Sequence, residues 1–294
     1  MNNTLHEVFS QPATWRQTES LTGDARRELA APGERMLVLG CGTSWFVAQS
    51  IAELRESAGL GETDAVCASE YVPRRHYDRI VAITRSGTST EVLDALRRVP
   101  AGVRRVAVTA VRGEPVDGLT DARLVLDFAD ERSVVQTRFP TSVLVTVLRA
   151  YGKGGERVVA DGEAALAASL PADPGDVDHL VFLGTGWTVG LAHEAALKVR
   201  EAAQAHAESY PALDFRHGPV AVAGPRTLVW SLGDVPESLD ETARAAGAIV
   251  YRDDRHPLAQ LVLAQRFALA LAAHRGLDPD RPRLLTRSVV LAAR

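Results

Sequence analysis

Leu180–Pro219 reads LVFLGTGWTVGLAHEAALKVREAAQAHAESYPALDFRHGP, a stretch that sets an apolar run, a glycine turn, a charged helix and a His-Gly-Pro within forty residues. Leu180, Val181, Phe182 and Leu183 have the pattern of a strand buried on both faces, and Gly184-Thr185-Gly186 ends it with residues that permit a tight turn. From Val189 to Ala207 there is no proline, no glycine after Gly190, and an excess of good helix formers, so a helix is expected over 189–207. In it Glu194, Lys198 and Glu201 fall at i, i+4 and i+7 on one face, and the break at Pro211 lets His217 return toward that face. A Glu/Lys stripe is ordinarily a solvated row of ion pairs. Here Ala195, Ala196, Leu197, Val199, Ala202 and Ala203 surround the charges, which suits a helix buried on most sides.

Working outward, the same order occurs earlier in the chain. Leu37-Val38-Leu39-Gly40-Cys41-Gly42 lines up with Val181-Phe182-Leu183-Gly184-Thr185-Gly186, and Ala68-Ser69-Glu70-Tyr71 echoes Ala207-Glu208-Ser209-Tyr210. Further strands are expected at 65–68, 80–83, 106–108 and 124–126, with helices over 45–57 and 90–98. Strands alternating with helices imply parallel βαβ units, hence two tandem doubly wound α/β domains of flavodoxin-like type related by internal duplication. The expected division is a helical segment over 1–34, broken at Pro12 and packed outside the first sheet. A first domain follows over 35–152, a linker over 153–177, and a second domain over 178–294.

The two copies differ chemically. The first carries hydroxyl-rich turns, Gly40-Cys41-Gly42-Thr43-Ser44 and Thr84-Arg85-Ser86-Gly87-Thr88-Ser89, whereas the second has Ser231-Leu232-Gly233-Asp234. Ligands of open parallel sheets bind at the carboxyl ends of the strands, where glycine turns opening helices offer N–H groups to anions. Thr43, Ser44, Thr84, Ser86 and Ser89 could therefore surround a phosphate, although Ser and Thr are also ordinary turn and N-cap residues.

Several function classes fit poorly. With 33 Lys and Arg against 37 Asp and Glu, a net charge of −4, there is no excess of base to bind nucleic acid or an anionic membrane. Gly40-Cys41-Gly42 lacks the third glycine of a dinucleotide motif, and no G-K-[ST] or G-x-S-x-G occurs. Cys41 and Cys67 make neither a disulfide framework nor a zinc set, and His193, His206 and His217 are not at ligand spacing, so no metal or other cofactor is expected. No run is long enough to span a bilayer, and MNNTLHEVFSQPATW lacks the apolar core of a signal peptide, so a cytoplasmic location is expected.

In order, GCGTSW, ASEY, ITRSGTST, SVVQTR, E-x-x-x-K-x-x-E, RHGP and DRPRLLTRSV resemble the sugar isomerase (SIS) domain proteins. The likeness is to the isomerase half of glucosamine-6-phosphate synthase and to stand-alone amino-sugar-phosphate isomerases and deaminases. It covers nearly the whole chain. The resemblance implies a sugar phosphate held by Ser44, Thr84, Arg85, Ser86 and Ser89 with Val135 near the sugar. It implies Glu201 as the base moving a proton between C1 and C2, Lys198 beside it, and His217 as the ring-opening group contributed by the neighbouring subunit of a homodimer. An isomerase, deaminase or deglycase of hexose or hexosamine 6-phosphates is expected, with a non-catalytic sugar-phosphate sensor as the alternative. Three departures from the synthase follow: the likeness is to its isomerase half alone, so no glutaminase domain is expected; Arg85 and Thr88 replace Gln and Glu in the phosphate turn; and Arg287 stands where the synthase has its imine-forming lysine. A guanidinium stays protonated and forms no imine, so Arg287 is expected to pair with substrate oxygens or with the chain terminus.

Overall fold

A computed structural model describes residues 2–291; Met1 and residues 292–294, at the outer edges of the first and last expected segments, lie outside the described residues. Helices α1 (Asn3–Gln17) and α2 (Thr22–Leu29) lead into β1 (Met36–Gly40), α3 (Thr43–Ser57), β2 (Thr63–Cys67), β3 (Arg79–Ile83), α4 (Thr90–Arg97), β4 (Arg104–Thr109) and β5 (Ala122–Val125). Two helices follow, α5 (Arg138–Ala150) and α6 (Glu156–Ala167), the latter within the expected linker. The remainder is β6 (His179–Gly184), α7 (Thr188–Ala203), β7 (His206–Pro211), β8 (Thr227–Leu232), α8 (Ser238–Ala245), β9 (Ile249–Tyr251) and α9 (Pro257–His274).

The strands form two parallel sheets, ordered β2-β1-β3-β4-β5 and β7-β6-β8-β9. In both, the first strand of the unit lies between the second and third, so the order reverses beside β1 and again beside β6. At such a switch point the flanking turns diverge and leave a crevice.

Strand alternation explains the layering. Met36, Val38, Val81 and Val106 of the first sheet join Leu180, Phe182, Leu228 and Trp230 of the second in one continuous core. The alternate residues Leu37, Leu39, Ile80 and Ala82 face a separate outer cluster with α4, and Val181, Leu183 and Val229 face another with α8. The helices α1, α3, α5, α6, α7 and α9 fill the space between the sheets. Each aliphatic side chain buried there contributes about 1.5–3 kcal/mol relative to exposure.

Two expectations are corrected. Helix α1 is not broken at Pro12 but runs through it. Proline lacks the N–H that the carbonyl four residues earlier needs, and the Gln11 Nε2 donates to that carbonyl, Val8 O, at 3.1 Å instead. The segment also packs inside rather than outside: Gln11 meets Gln265 and Thr141, and Glu7 accepts from Arg132 N at 2.6 Å. Helix α7 ends at Ala203, four residues short of the expected limit. Gln204 takes a left-handed conformation (φ 49°), and Arg275 Nη1 donates to the Ala203 and Gln204 carbonyls at 3.2 and 3.1 Å, leaving 206–211 free to pair as β7.

Among the described residues no helix is long and apolar enough to cross a membrane, and no group of three or more His, Cys, Asp or Glu is placed to hold a metal ion.

Candidate functional site at the first switch point

The turns after β1 and β3 meet at the first reversal of strand order. Gly40 must be glycine, since a Cβ would stand 2.5 Å from that of Ser44, and Gly42 has φ +55°, so the chain turns sharply into α3. Neither Thr43 nor Ser44 acts as a side-chain cap of α3, whose N-cap is Gly42. Ser89 stands at the N-cap of α4 without a capping hydrogen bond. Among the described residues no hydrogen bond engages the Ser44 or Ser89 hydroxyl, which tells against the ordinary capping role for these two. Thr84 does have a local task, its Oγ1 accepting from Gly87 N at 3.2 Å to close the turn. Burial pushes the Cys41 thiol up to about 12, with Cys67 and Glu91 adding to the effect, so this turn carries no thiolate nucleophile.

Helix α7 brings its charges to this crevice from the other sheet's side. It lies close on α3 because residue 190 is glycine: a Cβ there would collide with Ser50 Oγ and Phe46 O. Ser50 Oγ fixes the contact by donating to Trp187 O at 2.8 Å. Lys198 Nζ then donates to Thr43 Oγ1 at 3.0 Å and to Glu201 Oε2 at 2.6 Å. Glu194 Oε1 lies 3.3 Å from the same ammonium, but neither Glu194 oxygen completes a hydrogen bond. The helix is thus buried on most sides, with Glu194 and Lys198 each 1% exposed. Glu201 is the accessible member, its side chain 19% exposed.

Burial pushes the Glu194 carboxyl up to about 7, Lys198 opposing and Glu201 reinforcing the shift. For Lys198 burial lowers the pKa, yet the two carboxylates together outweigh it and the direction is upward, so the ammonium stays protonated. Val135 borders the same small gap as Lys198, beside Val8 and Ala202.

The C-terminal segment 284–291 crosses the turn after β3. Ser288 Oγ meets Ser86 Oγ at 3.1 Å and Thr88 Oγ1 at 2.8 Å, and Val289 O accepts from Thr90 N at 3.1 Å. This changes two assignments. Arg85, expected on the phosphate, is 2% exposed; it donates to Ser133 O at 3.0 Å and Arg287 O at 2.9 Å, with Glu131 3.5 Å away, so it braces the turn. Arg287, expected on substrate oxygens or the chain terminus, bonds Asp130 Oδ1 and donates to Glu131 O at 3.0 Å. Glu131 itself is fully buried, and burial raises its pKa against the pull of Arg85. His217 is exposed beyond β7, and no hydrogen bond or ion pair joins it to Glu194, Lys198 or Glu201 among the described residues. Sequence reasoning did not single out Ser288, although it lies within DRPRLLTRSV, nor the Asp130–Glu131 pair, which nothing local marks; Glu194 was visible on the charged face, but its burial was not.

No protein-family model matches the chain. Over 98% of its length it is 26% identical to a glutamine–fructose-6-phosphate aminotransferase (isomerizing) of Pyrobaculum aerophilum, of which it covers 57%. The chain therefore spans little more than half the length of the curated relatives it matches. Among solved structures, a glucosamine-6-phosphate deaminase of Thermotoga maritima matches with a TM-score of 0.85 at 25% identity, covering 99% of this chain and all of that one. A tagatose-6-phosphate ketose/aldose isomerase of Escherichia coli shares the fold, with a TM-score of 0.73 at 21% identity over 95% of both chains. The chain is thus similar, in sequence and in fold, to proteins of the sugar isomerase domain kind. Its relatives include isomerases and deaminases of sugar phosphates.

Proposed function

We propose that this chain is an enzyme acting on a hexose or hexosamine 6-phosphate, as an aldose–ketose isomerase or as a deaminase or deglycase, through an enediol or enediolamine. The observation that carries the reading is Lys198, whose one ammonium bonds both Thr43 of the first turn and Glu201. A sugar phosphate anchored by Ser44, Ser86 and Ser89 would lie along that bridge. Glu201, the more accessible of the two carboxylates, takes the proton from C2 and returns it to C1, or the reverse, while Lys198 fixes its orientation. Val135 lines the sugar's apolar side. An amino sugar or fructosamine brings its own nitrogen, so an imine-forming lysine at 287 is not required.

Ring opening falls to His217, supplied across a homodimer so that each site is shared. We further assign the two sheets to an internal duplication, with units over 35–152 and 178–294, and the protein to the cytoplasm. The shared strand order of the two sheets supports the duplication. A second reading, a non-catalytic sugar-phosphate sensor, is favoured by Ser288 standing on the Ser86 and Thr88 hydroxyls. A panel of hexose and hexosamine 6-phosphates, assayed for ketose formation and for ammonia, separates the two. Binding without turnover on any member would leave the sensor. Mixing Glu201→Gln and His217→Ala subunits tests sharing, since one site of each heterodimer regains both groups; no recovery after proven exchange would refute it.

A further inference from the structure

The second sheet has its own switch point, between the turns after β6 and β8, and an open cleft of about 1040 Å³ lies there. This is ample for a small ligand. Its chemistry is unlike that of the first. The Ser231 side chain, on the cleft wall and 2% exposed, leaves its Oγ without a hydrogen-bond partner. A buried hydroxyl left unpaired is costly unless a bound group satisfies it. Trp187, half-buried, presents its indole beside His256, the ring centroids 6.0 Å apart. Burial drives His256 down to about 4, so that ring is neutral.

The charges on the walls are unequally committed. Arg252 is tied to Asp240, Arg255 to Asp253, and Arg157 lies 3.5 Å from Asp161. Lys153 is the remaining base, 3.3 Å from Ser57 Oγ. Against it stand three exposed acids, Asp234, Glu237 and Asp254, which make no ion pair among the described residues. A phosphate would meet uncompensated negative charge here, whereas a protonated amine would be attracted.

We propose that this second switch point is a binding site for an unphosphorylated amino sugar or similar amino polyol. Its ammonium faces Asp234 and Asp254, its C–H face stacks on Trp187, and a hydroxyl pairs with Ser231. The site is separate from the first crevice, where a phosphate is proposed, and takes the opposite charge.

D-glucosamine is the probe, titrated against the full chain by calorimetry and by tryptophan fluorescence. Saturable binding is expected, accompanied by a fluorescence change that Trp187→Phe removes. Affinity should fall about tenfold or more in Asp234→Asn/Asp254→Asn, both exposed positions that tolerate the change, and less in Ser231→Ala. D-glucose should bind more weakly. Binding should survive Ser86→Ala/Ser89→Ala, which damages only the first crevice. The proposal is overturned if glucosamine does not saturate the protein, if the double asparagine variant binds it equally well, or if Ser86→Ala/Ser89→Ala abolishes the binding.

Discussion

The two switch points share a topology and almost nothing else. In the first, hydroxyls surround the turns, a C-terminal segment lies across them, and an ammonium from α7 ties Thr43 to a carboxylate. In the second, the cleft is open, its hydroxyl Ser231 is unsatisfied, and acids stand where the other has Ser and Thr. Parallel strand order therefore fixes where a ligand can bind, while the few residues after each strand decide what charge it carries. Helix α7 separates the two further, because its N-terminus borders the second crevice and its last turns serve the first.

The comparison is most sharply tested at Glu201. Glu201→Gln keeps size and hydrogen bonding but removes basicity, so turnover should drop about 10²–10⁴-fold with sugar-phosphate binding retained. Steady-state kinetics beside calorimetry measure both, and full activity would move the chemistry away from the first crevice. Next in size is Lys198→Met, which leaves two carboxylates without their cation. Breaking such a buried pair costs about 3–5 kcal/mol, readable in denaturant unfolding, and Glu194→Gln in the same chain should restore part of it.

Glu194→Gln alone should act through pH. The folded pKa of about 7 lies above the usual 4.5, so the stabilising, protonated state of this group is fully present below about pH 4.5 and lost as pH rises through about 7. That difference is worth at most about 3 kcal/mol, and the variant's unfolding free energy should be flatter over that window than the parent's. An unchanged slope would mean that Glu194 is ionised throughout. Smallest are the hydroxyls: Ser86→Ala and Ser89→Ala should each weaken sugar-phosphate binding about tenfold, and Ser231→Ala should leave it untouched. Equal losses at all three would erase the distinction between the crevices.

The strands and their parallel pairing were legible because apolar runs ending in glycine leave few alternatives. So was the burial of α7, from the alanines around Lys198. Pro12 misled because the Gln11 side chain compensates for it, a tertiary accommodation with no signature in propensity. Arg85 is expected on the phosphate through the family resemblance, and Arg287 on substrate oxygens or the chain terminus through its place in the matching C-terminal motif. Their partners, Glu131 and Asp130, lie 46 and 157 residues away, beyond any local pattern. His217 shows the opposite limit: among the described residues no side-chain hydrogen bond or ion pair engages it, so this chain by itself fixes no role for it.

The first crevice draws Thr43 and Lys198 from positions 155 residues apart, and Ser86 and Ser288 from 202 apart. Closing loops of that length costs entropy before any contact repays it, so these bonds belong late on the folding path, after both sheets have formed. No partly folded species would then hold the constellation. A ligand of that crevice accordingly binds the native state alone and, at a hundred times its Kd, would draw the folding equilibrium toward completion by about 2.7 kcal/mol.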